Sequence, residues 1–237
     1  MIDILRAVYP SAEQFDIVIE GARNPRNSWD KMDSYSEYSK ERFDIDNSKG
    51  KAYPVKDFIL GEKDRELCSN LCSKTSEHSK FLRMLPVIVT INAPLYFWKE
   101  FDTYKVGTTA NSCSTMHTVC NKPFELSDFS TEHLNDESID ILKSNIDRLN
   151  RLRDEHNDTY YAPEKKDIWW QIIQTLPSSY NQRRTVSLNY AVLNNIYEQR
   201  KHHKLDEWII FCDWVKNVPY FKTFFPLSGG DEFEWRK

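Results

Sequence analysis

No apolar run in this chain approaches the roughly twenty residues that a membrane-crossing helix needs; the longest, such as Met84 to Val89, are far shorter. The N-terminal MIDILRAVYPSAEQFD carries acids early and has no basic region followed by an apolar core, so no secretory signal is expected and the chain reads as cytoplasmic. Glycine is scarce, 6 in 237 residues, and neither a Gly-x-Gly-x-x-Gly fingerprint nor a phosphate-binding P-loop is present. A helix N-terminus is then the remaining backbone device for holding a phosphate. The 5 cysteines are an odd number without a disulfide-framework spacing, which agrees with a reducing compartment. There is no excess of positive charge either; the net charge of −4 argues against a general nucleic-acid-binding role. No internal repeat and no Pro/Gly/Ser linker divides the chain, so the expectation is one domain over 1–237 with a helical insertion at about 130–175.

What is present is a globular composition, 40% hydrophobic and 14% aromatic, able to bury a sizeable core. Phe15 to Glu20 alternates as a short strand would. Gly21 to Ser36 is rich in Asn, Asp and Ser and reads as a loop, either plain surface or substrate-contacting. The polar stretch from Glu37 to Lys51 reads as an exposed excursion. Asp64 to Lys74 has helical spacing, and Val87 to Ile91 is β-branched enough for a buried strand. Residues after Pro94 have helical composition through about Tyr104, where Gly107 breaks the run. Ser138 to Arg153 is an amphipathic helix and Asp167 to Thr175 a more buried one, ending before Pro177. Arg183 to Leu188 is a strand or extended segment, and Asn189 to Lys201 and Leu205 to Lys216 are two further helices.

The stretch from Ala93 to His117 is chemically the densest. Its aromatic front half, Leu95 to Phe101, gives way to Thr, Asn and Ser from Thr108 to Thr115, residue types that favour loops and can converge on a polar ligand. Cys113, His117 and Cys120 are spaced as metal ligands would be on a helix, but ordinary thiols explain them better and no metal is expected. Tyr96, Trp98, Trp169 and Trp170 are more readily core or interface residues than ring-stacking ones. Asn189 and Arg200 share one helix meridian at a separation of roughly 16 Å. On physics alone Arg200 is either a solvated last-turn cation or a ligand contact.

The order of these elements resembles that of the flavin-dependent thymidylate synthases, loosely from about Glu77 to Pro219. Glu77-His78 resembles that family's Glu-His pair before a strand. Asn111 and Ser114 match the Asn and second Ser of its Arg-His-Arg-x-x-Ser-x-Asn-Glu-x-Ser-x-Arg-Tyr signature, and Thr109 stands for the first Ser. Leu176-Pro177, the Asn189, Asn195 and Arg200 spacing, and His203 with Glu207 resemble its later elements. Tyr104, Lys105 and Val106 stand where the family has Arg-His-Arg, Ser112 where it has Glu, and Met116-His117 where it has Arg-Tyr. Ala191 and Leu205 stand where it usually has Arg and Gln. This spelling fits a phage-type member.

The resemblance implies an α+β fold, with a mostly antiparallel central sheet flanked by helices. It implies FAD as cofactor, NADPH and methylenetetrahydrofolate as co-substrates, a pyrimidine deoxynucleotide as substrate, and a homotetramer with shared sites, without membrane or nucleic acid. The implied chemistry is reductive methylation of dUMP to dTMP. Open alternatives are a related C5-modifying enzyme with another pyrimidine nucleotide, or a nucleotide-binding protein without activity. The residues it points to around the flavin are His78, Lys105, Asn111, Asn195 and His203. Toward the nucleotide they are Ser114 and Arg200, as catalytic candidates, with Thr109 and Asn189. Lys99, Arg183 and Arg184 are candidates for the phosphate in place of the missing arginines.

Overall fold

The computed structural model describes residues 1–46, 48–74 and 77–226. Its elements follow in order as β1 (Asp3–Val8), α1 (Ala12–Arg23), β2 (Tyr35–Asp46), β3 (Lys51–Ile59), α2 (Glu62–Cys72), β4 (Pro86–Pro94) and α3 (Leu95–Phe101). There follow β5 (Thr109–Ser112), α4 (Thr115–Thr118), α5 (Asp136–Asp158), α6 (Ala162–Thr175), β6 (Asn181–Asn189), α7 (Tyr190–Arg200), α8 (Asp206–Lys216) and α9 (Phe221–Phe224). Four strands form an antiparallel sheet in the order β1-β4-β6-β5, and β2 and β3 form a separate ribbon. The α+β architecture expected from the sequence is the one observed. No helix among the described residues is long and apolar enough to cross a membrane.

Period-two alternation sorts the two sheet faces. Val87, Val89, Ile91 and Ala93 of β4, with Val186 and Leu188 of β6, point into the main core, which they share with residues of α1, α2, α3, α7, α8 and α9. The opposite face is open: Ile88 is 46% exposed, and Thr90 and Thr185 share a hydroxyl hydrogen bond of 2.9 Å there. Val87 to Ile91 is therefore buried on one face only. A second apolar cluster lies between α5 and α6, from Leu142, Ile146, Leu149, Leu152, Ile168 and Ile172. In α6 only Ile168 and Ile172 are buried, and Trp170 lies 45% exposed, so that helix is less buried than its sequence suggests.

Three further expectations are corrected. Phe15 to Glu20 is helical, inside α1: Ser11 and Gln14 close a capping box ahead of it, and Phe15, Val18, Ile19 and Ala22 recur at helical spacing. Glu37 to Lys51 is exposed but regular, belonging to the β2–β3 ribbon; its Asn47 lies outside the described residues. Thr109 to Ser112 is an edge strand rather than a loop, because β6 offers its free edge at that point.

A buried ion pair ties α1 to α2. Arg23 donates from Nε to Asp64 Oδ1 at 2.6 Å and from Nη1 to the Ser28 carbonyl at 3.3 Å, while Asp64 Oδ2 accepts the backbone N–H groups of Asp33 and Ser34 at 3.0 and 2.8 Å. Asp33 returns the favour by accepting the Lys63 and Asp64 N–H groups at 2.9 and 3.0 Å, capping α2 from outside the helix. Partial burial raises the Asp33 pKa, but the N–H groups of Lys63 and Asp64 outweigh it and leave the carboxyl below its ordinary value. That cap is accordingly complete above the unfolded aspartate pKa and is lost as pH falls through the lower folded value. Gly61 is needed for close approach, since a Cβ there would lie 2.4 Å from Asp33 atoms.

Replacing Asp64 with Ala strands a buried guanidinium and two N–H groups. Urea unfolding of Asp64→Ala is expected to show a loss of about 3 kcal/mol or more; a loss below about 1 kcal/mol would contradict this role.

Candidate active site

The site begins with α3. Phe97, Trp98 and Phe101 bury into the core, and Trp208 of α8 meets Phe97 at 4.6 Å and stacks on Phe101 at 6.1 Å between ring centroids. With the helix anchored by its aromatic side, Lys99 faces solvent and Glu100 reaches across to α7 and α8. Two donors converge on one oxygen, Glu100 Oε2: Arg200 Nη1 at 2.7 Å and Trp208 Nε1 at 3.0 Å, with His203 Nε2 beside them at 3.3 Å. The N–H of Leu205 donates to His203 Nδ1 at 3.1 Å, which assigns the proton to Nε2 and turns it toward the carboxylate.

Arg200 is held on its other edge too. Its Nε donates to the Tyr104 hydroxyl at 2.8 Å, and that hydroxyl donates to Gln199 Oε1 at 3.1 Å. The guanidinium lies over the Trp208 and Tyr104 rings at 4.7 and 5.6 Å, a cation–π arrangement. Its side chain is 18% exposed and that of Glu100 is 35% exposed, so the pair sits at the surface rim of the core.

From Tyr104 the chain runs back along α7 from its last turn to its first. Gly107, at φ 75°, makes the turn: a Cβ there would lie 3.1 Å from Val192 and 3.2 Å from the Asn189 amide nitrogen. Asn189 caps α7, its Oδ1 accepting the Val192 N–H at 3.1 Å, so its side-chain oxygen is spent on the helix. The chain then enters β5. Thr109 pairs with Ser187 and Asn111 with Thr185, which puts Thr109, Asn111 and Arg183 on the open sheet face.

Arg184 is not free. It donates to Gln182 Oε1 at 2.8 Å and Asp102 Oδ1 at 2.7 Å, and lies 4.5 Å from the centre of the Trp98 ring. Gln182 in turn donates to the Cys113 carbonyl at 2.8 Å and Thr115 Oγ1 at 3.1 Å. As a phosphate ligand Arg184 is thus a poor candidate, because its charge is already matched. Lys99, Lys105 and Arg183 are exposed and carry no side-chain partner among the described residues.

The remaining candidates are placed as follows. Ser114 is exposed at the start of α4, where its carbonyl rather than its hydroxyl bonds the helix. Asn195 is exposed on α7, its Oδ1 accepting from Gln199 Nε2 at 2.9 Å. His78 is exposed in the turn after α2, beside a Glu77–Lys80 ion pair of 2.7 Å, and contacts none of the others. Glu207 is buried and receives the Tyr96 hydroxyl, and proximity to that carboxylate adds to burial in raising the Tyr96 pKa. Cys113 meets Thr118, and among the described residues no three His, Cys, Asp or Glu side chains gather as metal ligands.

The structure therefore brings Arg200 and His203 together through Glu100, and Thr109, Asn111 and Arg183 through β6. Sequence reasoning missed Glu100, Tyr104 and Trp208 as partners of Arg200. The available signal was the single carboxylate of α3, set among four aromatic residues.

The fold of this chain is that of the flavin-dependent thymidylate synthases. No family model and no curated protein matches the sequence. Among solved structures, thymidylate synthase X from Helicobacter pylori, crystallised with FAD and dUMP, superposes with a TM-score of 0.58 at 17% identity, over 94% of this chain and 95% of that one. The UMP/dUMP methylase PolB from Streptomyces cacaoi, bound to 5-Br dUMP, follows at 0.54 and 12% identity, over 96% and 95%.

A double-mutant cycle of Glu100→Ala and Arg200→Ala, read by urea unfolding, is expected to give a coupling of about 1 kcal/mol, as for a half-exposed, hydrogen-bonded ion pair. A coupling near zero would mean the pair does not join α3 to α7.

Proposed function

We propose that this chain is a flavin-dependent thymidylate synthase-like enzyme that converts dUMP to dTMP. The observation that carries the reading is the likeness in fold, over nearly the full length of both chains, to an enzyme crystallised with FAD and dUMP. The Arg200 corner adds local support: a rigidly held guanidinium backed by two aromatic rings is a suitable wall for a nucleotide.

The donor set fits a flavin. Lys105, Asn111 and the amide nitrogen of Asn195 are exposed donors without side-chain partners among the described residues, of the type that pyrophosphate and ring carbonyls accept. When bound, FAD supplies the redox chemistry of methylation, with NADPH as reductant and methylenetetrahydrofolate as one-carbon donor. The chain's own part is to bind and orient. Lys99 and Arg183 offer charge to the 5′-phosphate, Thr109 and Ser114 offer hydroxyls, and Arg200 meets the nucleotide with Tyr104 and Glu100 fixing its plane. His203 acts on the pocket through Glu100, and His78 would need a neighbouring subunit's site to take part.

Exposure of the β5 edge and of the α7 surface on a single chain agrees with sites completed between copies, in a homotetramer. A related enzyme acting on another pyrimidine nucleotide is the second reading, favoured by the second neighbour, a methylase bound to a 5-bromo nucleotide.

Titration with FAD is expected to turn the purified protein yellow, and product analysis by mass spectrometry to find dTMP from dUMP, methylenetetrahydrofolate and NADPH. Absence of any flavin binding overturns the reading. Arg200→Ala is expected to weaken dUMP binding by about tenfold or more, the scale of one lost charged hydrogen bond.

A further inference from the structure

The ion pair at the end of α7 is half used. Glu100 Oε2 takes two donors and has His203 Nε2 close by, whereas no donor among the described residues reaches Oε1. Arg200 spends Nε on Tyr104 and Nη1 on Glu100, and no acceptor among the described residues takes its Nη2. Neither atom is among the polar groups sealed from solvent without a partner. One bonded pair thus offers a ligand one acceptor and one donor, with the charge on each already balanced by the other.

That balance decides what it can hold. A phosphate dianion approaching Nη2 would also meet the Glu100 carboxylate, and like charges at contact distance cost several kcal/mol. A neutral group with a donor beside an acceptor meets no such penalty. The imide edge of uracil, N3–H flanked by carbonyl oxygens, has that pattern: N3–H toward Oε1 and a carbonyl toward Nη2. Cytosine held in the same place, with its C4 group toward the guanidinium, presents a bare N3 to the carboxylate and an amine to Nη2, so both contacts fail; to pair at all it must slide by one ring position, which the fixed sugar and phosphate resist.

We propose that Glu100 is the specificity-determining residue of this site, reading the N3–H of a uracil base and rejecting cytosine, with Arg200 positioned by it to take the adjacent carbonyl. The proposal rests on the nucleotide reading of the Arg200 corner but not on flavin chemistry. It leaves the phosphate to Lys99 and Arg183.

The test is calorimetric binding of dUMP, dCMP and N3-methyl-dUMP to the full chain, with and without FAD, for the natural protein and Glu100→Gln. Glutamine keeps an oxygen for the Arg200 and Trp208 donors and puts an amide nitrogen in place of Oε1. The natural protein is expected to prefer dUMP over both other nucleotides by about 100-fold, the scale on which a hydrogen-bonding site rejects a mispaired partner. E100Q is expected to lower the dUMP/dCMP ratio by about tenfold or more, with a thermal midpoint close to the natural one. An unchanged ratio in folded E100Q, or equal binding of dUMP and N3-methyl-dUMP by the natural protein, overturns the proposal. Uracil selectivity that depends on Glu100 without any flavin binding upholds it and overturns only the flavin reading. Flavin binding with no Glu100-dependent selectivity does the reverse.

Discussion

The pairing of β4 with β6 is the constraint from which the site follows. Nine residues of each strand run antiparallel in unbroken register, Pro86 opposite Asn189 through Pro94 opposite Asn181. Such long-range pairing carries a large loop-closure cost, and the inner-face Val and Ile rows of the two strands offset it by burial. Once formed, it leaves α3 starting at one end of the pair and α7 at the other. Both then pack on the same sheet face, where α8 joins them. The Glu100, Arg200 and Trp208 contacts are a consequence of that closure.

Charge at this corner is organised differently from a typical anion site. A phosphate pocket gathers cations that lack partners. Here Arg200 is matched by Glu100, Arg184 by Asp102, and both guanidinium groups rest on indole rings. Compensation of this sort suits recognition of a neutral, planar, polar edge. Lys99, Lys105 and Arg183, which have no side-chain partner among the described residues, are by contrast exposed.

Much of the architecture was legible in the chain. The helices from α5 to α8 announce themselves by apolar spacing, and β4 and β6 by β-branched content. The α1 misreading shows the limit: FDIVIE alternates, but it also repeats at three and four, and the Ser11–Gln14 capping box decides between the two. The Thr-, Asn- and Ser-rich β5 has no strand propensity to speak of and is a strand because β6 had an unpaired edge beside it. Propensity is local, and edge pairing is not.

By itself, then, the sequence determined the fold class, the polarity of the stretch from Thr108 to Thr115, and the candidacy of Arg200 and His203, since periodicity and residue type are properties of neighbours along the chain. Only the tertiary structure decided which cations are free and which are matched. Glu100 lies a hundred residues from Arg200, and Asp102 eighty-two from Arg184. Nothing in local chemistry distinguishes a solvated arginine from one neutralised by a carboxylate that arrives from another element. That difference exists only after β4 and β6 have closed.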